Sequence, residues 1–135
     1  MKKLNWKKAS GEVIGFAVLL IFLTLFISQV VGLIIYVDHK YELNEAVMRI
    51  GRAVVTEESQ EKAQEKAEKI MKAYMGDRKY MPSNEISISV DYAPGSKREW
   101  TKGNFIVVSM VAHIKSGCFL TAYTTVVSTT IMIEQ

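Results

Sequence analysis

The chain begins with a short polar segment and then a long apolar run that carries no ionisable side chain. Val13–Val37 reads VIGFAVLLIFLTLFISQVVGLIIYV, a run of 25 residues. As a helix it would be about 37 Å long, enough to cross the roughly 30 Å hydrocarbon core of a bilayer with some tilt. A cleavable signal peptide has a shorter apolar region, about 7–15 residues, followed by a small-residue cleavage site. The pattern therefore predicts an uncleaved transmembrane helix over 13–37.

Residues 38–76 follow with the pattern of an amphipathic helical extension. The apolar positions recur at spacings of three and four, first at Leu43, Val47, Ile50 and Val54, and again at Ala63, Ala67, Ile70, Met71 and Tyr74. Gly51 and Thr56 mark the stretch, 51–56, in which we expect a kink or break, because Thr56 followed by two glutamates is typical of a helix start. Gly76 is well placed to end the extension.

The pattern then changes to that of strands. Ile86–Tyr92 alternates apolar and polar residues, the Pro94-Gly95 pair indicates a turn, and Phe105–Ile114 is a second, mostly apolar strand. After a tight turn at 115–117, the Thr- and Val-rich run Phe119–Ile133 predicts a third strand. Trp100 marks the start of a further short strand. The predicted fold class is α+β: a long N-terminal helix followed, over 77–135, by a small antiparallel β-meander of three or four strands.

Charge supplies the orientation of the predicted membrane helix. The formal net charge is +3, and the excess lies before the apolar run, in Lys2, Lys3, Lys7 and Lys8 against the single acid Glu12. From Asp38 onward, 13 basic and 13 acidic residues balance. The positive-inside rule places residues 1–12 in the cytoplasm as a basic leader and 38–135 outside, as a single-pass membrane protein. Because the excess is not on the exterior part, we expect no nucleic-acid contact.

The sequence contains no recognisable motif for catalysis, a cofactor or a metal. The histidines are His39 and His113, and the one cysteine is Cys118, which excludes an internal disulfide. Cys118 has the pattern of a small half-buried residue rather than a reactive thiol, and its role stays open. We expect no enzyme and no cofactor. A pocket that gathered Asp91, His113 and Cys118 would favour an enzyme instead.

Several residues of the apolar helix suit helix–helix packing. Gly11 and Gly15, and likewise Ser28 and Gly32, have the small-xxx-small spacing that lets helices approach closely, and Gln29 is a polar residue that could bond to a neighbouring helix. Glu12 stands where the apolar run begins. In an apolar bundle its carboxylate would need a cationic partner, and at a bilayer surface it would contact headgroup water. The sequence leaves both alternatives open.

The layout resembles a known family. A short Lys-rich leader, a glutamate at the edge of a long apolar helix, an amphipathic extension and a β-meander resemble type IV pilin-like proteins, and most closely the TadE/TadF-like pseudopilins of tight-adherence pilus systems. Residues 40–53 (KYELNEAVMRIGRA) are similar to the family's stretch after the membrane helix, and 124–134 (TTVVSTTIMIE) to its last strand.

The resemblance implies a structural subunit that packs with itself or with other pilins into a helical extracellular filament for adhesion, secretion or DNA transfer. Its partners would be membrane lipid before assembly, the prepilin peptidase and the pilus assembly platform. The family's peptidase makes a glutamate the fifth mature residue, which puts the cut between Lys7 and Lys8, although a small residue is usual before the cut. Whether the leader is cleaved stays open. The alternative function is a membrane-anchored exterior binding module of a secretion or conjugation apparatus.

Overall fold

One helix of 49 residues, α1 (Trp6–Val54), contains both the apolar run and the first part of the amphipathic extension. A computed structural model describes residues 6–78, 81–115 and 122–134 of the chain. After α1 come a second helix, α2 (Gln60–Met75), and a three-stranded antiparallel sheet. The predicted α+β class, with a long N-terminal helix and a small meander, is confirmed.

The break between the two helices begins within the predicted stretch 51–56, but the second helix starts later than the sequence pattern indicated. α1 passes through Gly51 without interruption and ends at Val54. The hydroxyl of Thr56 donates back to the carbonyl of Ala53 at 3.4 Å, so Thr56 belongs to the end of α1 and does not begin α2. The N-cap of α2 is Ser59, whose hydroxyl accepts from the N–H of Lys62 at 3.3 Å. The helix start predicted at Thr56 was therefore wrong by three residues.

Gly76 ends α2, as the sequence predicted. Its φ of 55° lies in the left-handed region that favours glycine, and its N–H donates to the carbonyl of Lys72 at 3.3 Å. The chain then forms a minimal hairpin of β1 (Asp77–Arg78) and β2 (Met81–Pro82), followed by one 3₁₀ turn, Ser83–Glu85.

The main sheet consists of β3 (Ile86–Tyr92), β4 (Phe105–Lys115) and β5 (Ala122–Met132) in the order β3-β4-β5. All three predicted strands are present, and β3 has the predicted bounds. The beginning of the third predicted strand, 119–121, lies outside the described residues, as does the tip of the turn before it. The further short strand predicted at Trp100 is wrong: this residue lies in the loop between β3 and β4, where its Nε1 donates to the carbonyl of Glu57 at 2.6 Å.

The core lies between the two helices and one face of the sheet. Ile88, Met110 and Val127 are paired across the three strands and are all buried on this inner face. The helices contribute the predicted stripe, whose buried members are Leu43, Val47, Ile50 and Val54 in α1 and Ala63, Ala67 and Met71 in α2. Burial of each large apolar side chain contributes about 1.5–3 kcal/mol. This core holds the second part of α1 to the sheet and leaves the first part outside it.

Candidate membrane and assembly helix

Helix α1 divides into two parts according to what surrounds it. In the free half, residues 11–31, every large apolar side chain is exposed, with relative exposures from 40% at Val30 to 68% at Val13. In the packed half, residues 32–54, one stripe is buried: Gly32, Leu43, Ala46, Val47, Ile50, Gly51 and Val54. The same continuous helix thus presents an unpartnered apolar surface and then becomes part of a core.

The free half has the dimensions of a membrane span. The structure contains one helix, over Gly11–Val54, that is long and apolar enough to cross a membrane, and it lies near the N-terminus of the part of the chain described. Residues 11–31 alone would span about 31 Å, close to the roughly 30 Å of a hydrocarbon core. The free half can therefore cross a bilayer without any residue of the packed half.

The sheet reaches the end of the predicted span at Tyr36. The ring of Tyr36 packs against that of Tyr123 on β5, with centroids 4.8 Å apart, and Lys40 Nζ lies 6.0 Å from the centre of the Tyr36 ring. Aromatic and basic side chains of this kind are enriched where a protein meets the headgroup region. This junction places the sheet of the domain directly beside the end of the predicted span.

The predicted helix-packing residues fall on both halves. Gly11, Glu12 and Gly15 are exposed on the free half, and a Cβ added at either glycine would meet nothing within 4 Å. Gly32 is buried within the chain itself, so it offers no open surface to a second helix. Ser28 and Gln29 are half-buried on the same side of α1 as Gly32. Of the predicted packing residues, those that are fully open to a neighbouring helix are therefore Gly11, Glu12 and Gly15.

The four predicted topology lysines are only partly within the described residues. Lys7 and Lys8 lie in the first turns of α1. Lys2 and Lys3 lie outside the described residues. After the lysines, the next charged residues along α1 are Glu12 and, beyond the apolar run, Asp38, so the helix has charge only at the two ends of its apolar part.

A small polar cluster follows the apolar run. Asp38, His39 and Glu42 each place one potential metal-ligating atom within 4.8 Å of the others. His39 Nδ1 lies 3.1 Å from Glu42 Oε2, so the cluster contains a hydrogen-bonded pair. We assign no metal to it, because exposed acidic groups of this kind are common without one.

Of the three residues that would have indicated an enzyme, the two that the structure describes, Asp91 and His113, are not brought together. Asp91 pairs with Val107 on β4, whereas His113 lies six residues further along the same strand. At about 3.3 Å per residue, that separates the two side chains by about 20 Å. The His113 ring is instead 2.9 Å from the Thr124 hydroxyl. Cys118 lies outside the described residues.

Sequence reasoning missed the role of Gly51. A Cβ at this position would lie 2.1 Å from Cδ1 of Ile131 and 3.2 Å from Cγ2 of Thr129, so the missing side chain is what lets β5 approach the helix. Glycine in a helical pattern indicates either a break or a close approach, and the pattern alone does not distinguish them. The structure shows a close approach.

The comparisons with known proteins add no relative: the chain has no significant match to a family model, a curated protein or a solved structure.

Proposed function

We propose that this protein is a pilin-like structural subunit that is held in the membrane by the free half of α1 and assembles through that half into an extracellular filament. The observation that carries the proposal is the uninterrupted passage of α1 from an exposed apolar segment into the core of the exterior domain. No linker separates anchor and domain, so a contact between two free halves fixes the relative position of the two domains. A regular assembly requires that rigidity.

The exposed surface of the free half supports the same proposal. Outside lipid, its large apolar side chains would need to be covered, and burial of apolar surface releases about 25 cal/mol per Å². In a bundle of such helices, Gly11 and Gly15 leave room for close approach of a neighbour. A helix apolar on all sides is stable in lipid and equally in the centre of a bundle.

Glu12 supplies register in this proposal. Its carboxylate is exposed at the border of the apolar segment, where no other acid occurs before Asp38. A charge enclosed by apolar helices is stable only beside a cation. Pairing with a cation at the N-terminal end of a neighbouring subunit would set the axial position of one helix against the next.

The test is to locate the full chain, expressed in cells, by immunogold imaging of sheared extracellular filaments and by blotting of the membrane fraction. Glu12→Ala and Glu12→Gln should reduce incorporation at least about tenfold, which corresponds to about 1.4 kcal/mol per contact, while Glu12→Asp should retain much of it. Glu65→Ala, which removes an exposed acid from α2, is the matched control and should assemble normally.

Two results would count against the proposal, each in a different way. Recovery of the wild-type chain only from the membrane fraction, in cells that carry filaments, would reject the subunit and favour the membrane-anchored binding module. Normal incorporation of Glu12→Ala would leave the subunit standing and reject the role of Glu12.

A further inference from the structure

The two edges of the sheet are treated differently by the rest of the chain. At the β3 edge, the side-chain amide of Gln64 accepts from the N–H of Val90 and donates to the carbonyl of Ile88, both at 2.9 Å. Gln60 donates to the carbonyl of Val90 at 2.8 Å. These two glutamines of α2 take the place of a neighbouring strand at Ile88 and Val90, so α2 blocks the middle of the β3 edge.

The register identifies the main-chain groups on the opposite edge. In an antiparallel strand, successive residues direct their N–H and C=O groups to alternate sides. The main-chain groups of Ile88 and Val90 point to α2, so the odd-numbered residues of β3 form the hydrogen bonds to β4. By the register, the even-numbered residues of β4 then bond to the odd-numbered residues of β5. The outer edge of β5 therefore presents the main-chain groups of Thr124, Val126, Ser128, Thr130 and Met132.

These groups are unpaired within residues 6–78, 81–115 and 122–134. Neither main-chain nor side-chain hydrogen bonds from the described residues reach them. β5 has eleven residues, none of them charged, proline or glycine. Natural proteins protect an exposed edge with lysine, proline, bulges or a covering element, and the described part of the chain provides none of these along this strand.

The side of α1 next to this edge is also uncovered. On α1, Gly51 faces β5, and Arg49, whose guanidinium lies 5.2 Å from the Tyr74 ring centre, contacts α2. At about 100° per residue, Val47 and Ile50 of the buried stripe lie on one side of Gly51, and Met48 lies about 60° from Gly51 on the opposite side. Met48 is 55% exposed, and Thr129 and Ile131 on the inner face of β5 are half-buried. One more strand beside β5 would cover all three.

We propose that the outer edge of β5 is a binding site for an extended, uncharged segment of a different protein, which adds a fourth strand to the sheet. Main-chain hydrogen bonds would supply affinity, and alternate side chains would contact Val126 on the outer face and Met48 on the inner side. A charged segment would place its charge beside an uncharged strand that offers no partner for it.

The membrane anchor, on which this inference rests, argues against a second copy as the occupant. Tyr36 lies beside Tyr123 and Gly51 beside Ile131, so α1 and β5 run in the same direction. Two copies anchored in one membrane would therefore have parallel β5 strands. If a two-fold axis parallel to the strands related them, each N–H would face the same N–H of the other copy, and no hydrogen bond could form. The middle of the β3 edge of a neighbouring copy is blocked by its own α2, through Gln60 and Gln64.

The test measures amide hydrogen exchange by NMR on the isotope-labelled full chain in detergent micelles, which requires no filament. The probe is the peptide Thr-Val-Thr-Val-Thr-Val-Thr, N-methylated at its three valines so that only one of its edges can pair. At saturating peptide, exchange at Val126, Ser128 and Thr130 should slow at least about tenfold, with no change at Val90. The same peptide methylated at every residue should have no effect.

Variants connect that protection to the edge. Ser128→Pro removes an outward N–H without removing a bond to β4 and should abolish the effect of the peptide. If Ser128→Pro does not fold, Val126→Lys should reduce the effect by placing a charge beside the uncharged peptide. Gln64→Ala opens the other edge and should extend the peptide's protection to Val90.

Two results would overturn the proposal. The first is unchanged exchange at Val126, Ser128 and Thr130 with the singly edged peptide. The second is slow exchange at these amides without peptide: if it depends on protein concentration, the edge pairs with a second copy, and if it does not, the chain's own residues cover it. Neither result bears on incorporation into filaments, which the Glu12 variants test.

Discussion

The free and packed halves of α1 are parts of one helix, both rich in apolar residues, with opposite surroundings. The free half is apolar on all sides, and its large apolar side chains are exposed. From Asp38 onward the packed half is apolar mainly along one stripe, and Leu43, Val47 and Ile50 on that stripe are fully buried. The arrangement of apolar residues around the helix, more than their number, therefore tells which part belongs to the domain and which part needs another environment.

A matched pair of charged substitutions should produce the largest difference between the two halves. Val47→Asp buries an unpaired carboxylate in the core and should destabilise the folded domain by more than about 4 kcal/mol, whereas membrane insertion should persist. Val18→Asp should leave the domain folded but make insertion less favourable by about 2.5–3.5 kcal/mol. Urea unfolding in detergent and an alkaline-extraction assay measure the two effects. Equal loss of folding stability in both variants would contradict the division of α1.

Glycine substitutions should produce a smaller contrast between the halves. Gly51→Leu forces a side chain toward Ile131 and Thr129 and should destabilise the domain by about 1–3 kcal/mol. Gly15→Leu meets open space and should leave the unfolding free energy of the domain unchanged. Urea midpoints of the two variants give the measurement. A stabilised Gly51→Leu would show that Ile131 moves aside without cost.

The smallest effect concerns the turn in which the packed half ends. A hydrogen bond and the charge of Lys62 hold the pKa of Glu58 below its ordinary value of 4.5, and the same contact raises the pKa of Lys62. A depressed carboxyl pKa contributes stability above the ordinary value, and this contribution is lost as the pH falls through the pKa of the folded state. The loss should therefore begin below about pH 4.5.

Thermal unfolding of the wild type and of Glu58→Gln between pH 3 and pH 7 measures this contribution. The variant should lose slightly less stability than the wild type on acidification, because the fully exposed pair is screened by solvent. Glu65→Gln serves as the control. Parallel curves for wild type and Glu58→Gln would show that the pair contributes nothing measurable.

The local pattern of apolar and polar residues was sufficient to predict most helices and strands of the fold. The alternation in Ile86–Tyr92 predicted β3 with its observed bounds, and Gly76 predicted the end of α2. The start of α2 was misplaced because Thr56 and Ser59 are both suitable N-caps. Which of them caps depends on where α1 stops, and Thr56 bonds back to Ala53.

Which residues of α1 are exposed to a neighbouring helix was harder to predict than the fold. Gly11, Glu12 and Gly15 are exposed, whereas Gly32, with the same small-residue spacing, is buried within the chain. The closed edge of β3 was not predictable either, because Gln64 and Val90 are 26 residues apart and nothing in a single sequence pairs a glutamine with a particular main-chain amide.

The long apolar helix, its amphipathic continuation and the three strands could be predicted from the sequence alone, because hydrophobic periodicity and turn residues act over a few neighbouring positions. The tertiary structure was needed to show which glycines are buried, which edge of the sheet is covered by α2, and where along α1 the contact with the domain begins. Those outcomes depend on contacts between segments far apart in the chain. Among the described residues, they leave exposed both Glu12 and the outer edge of β5, the surfaces on which the two proposals rest.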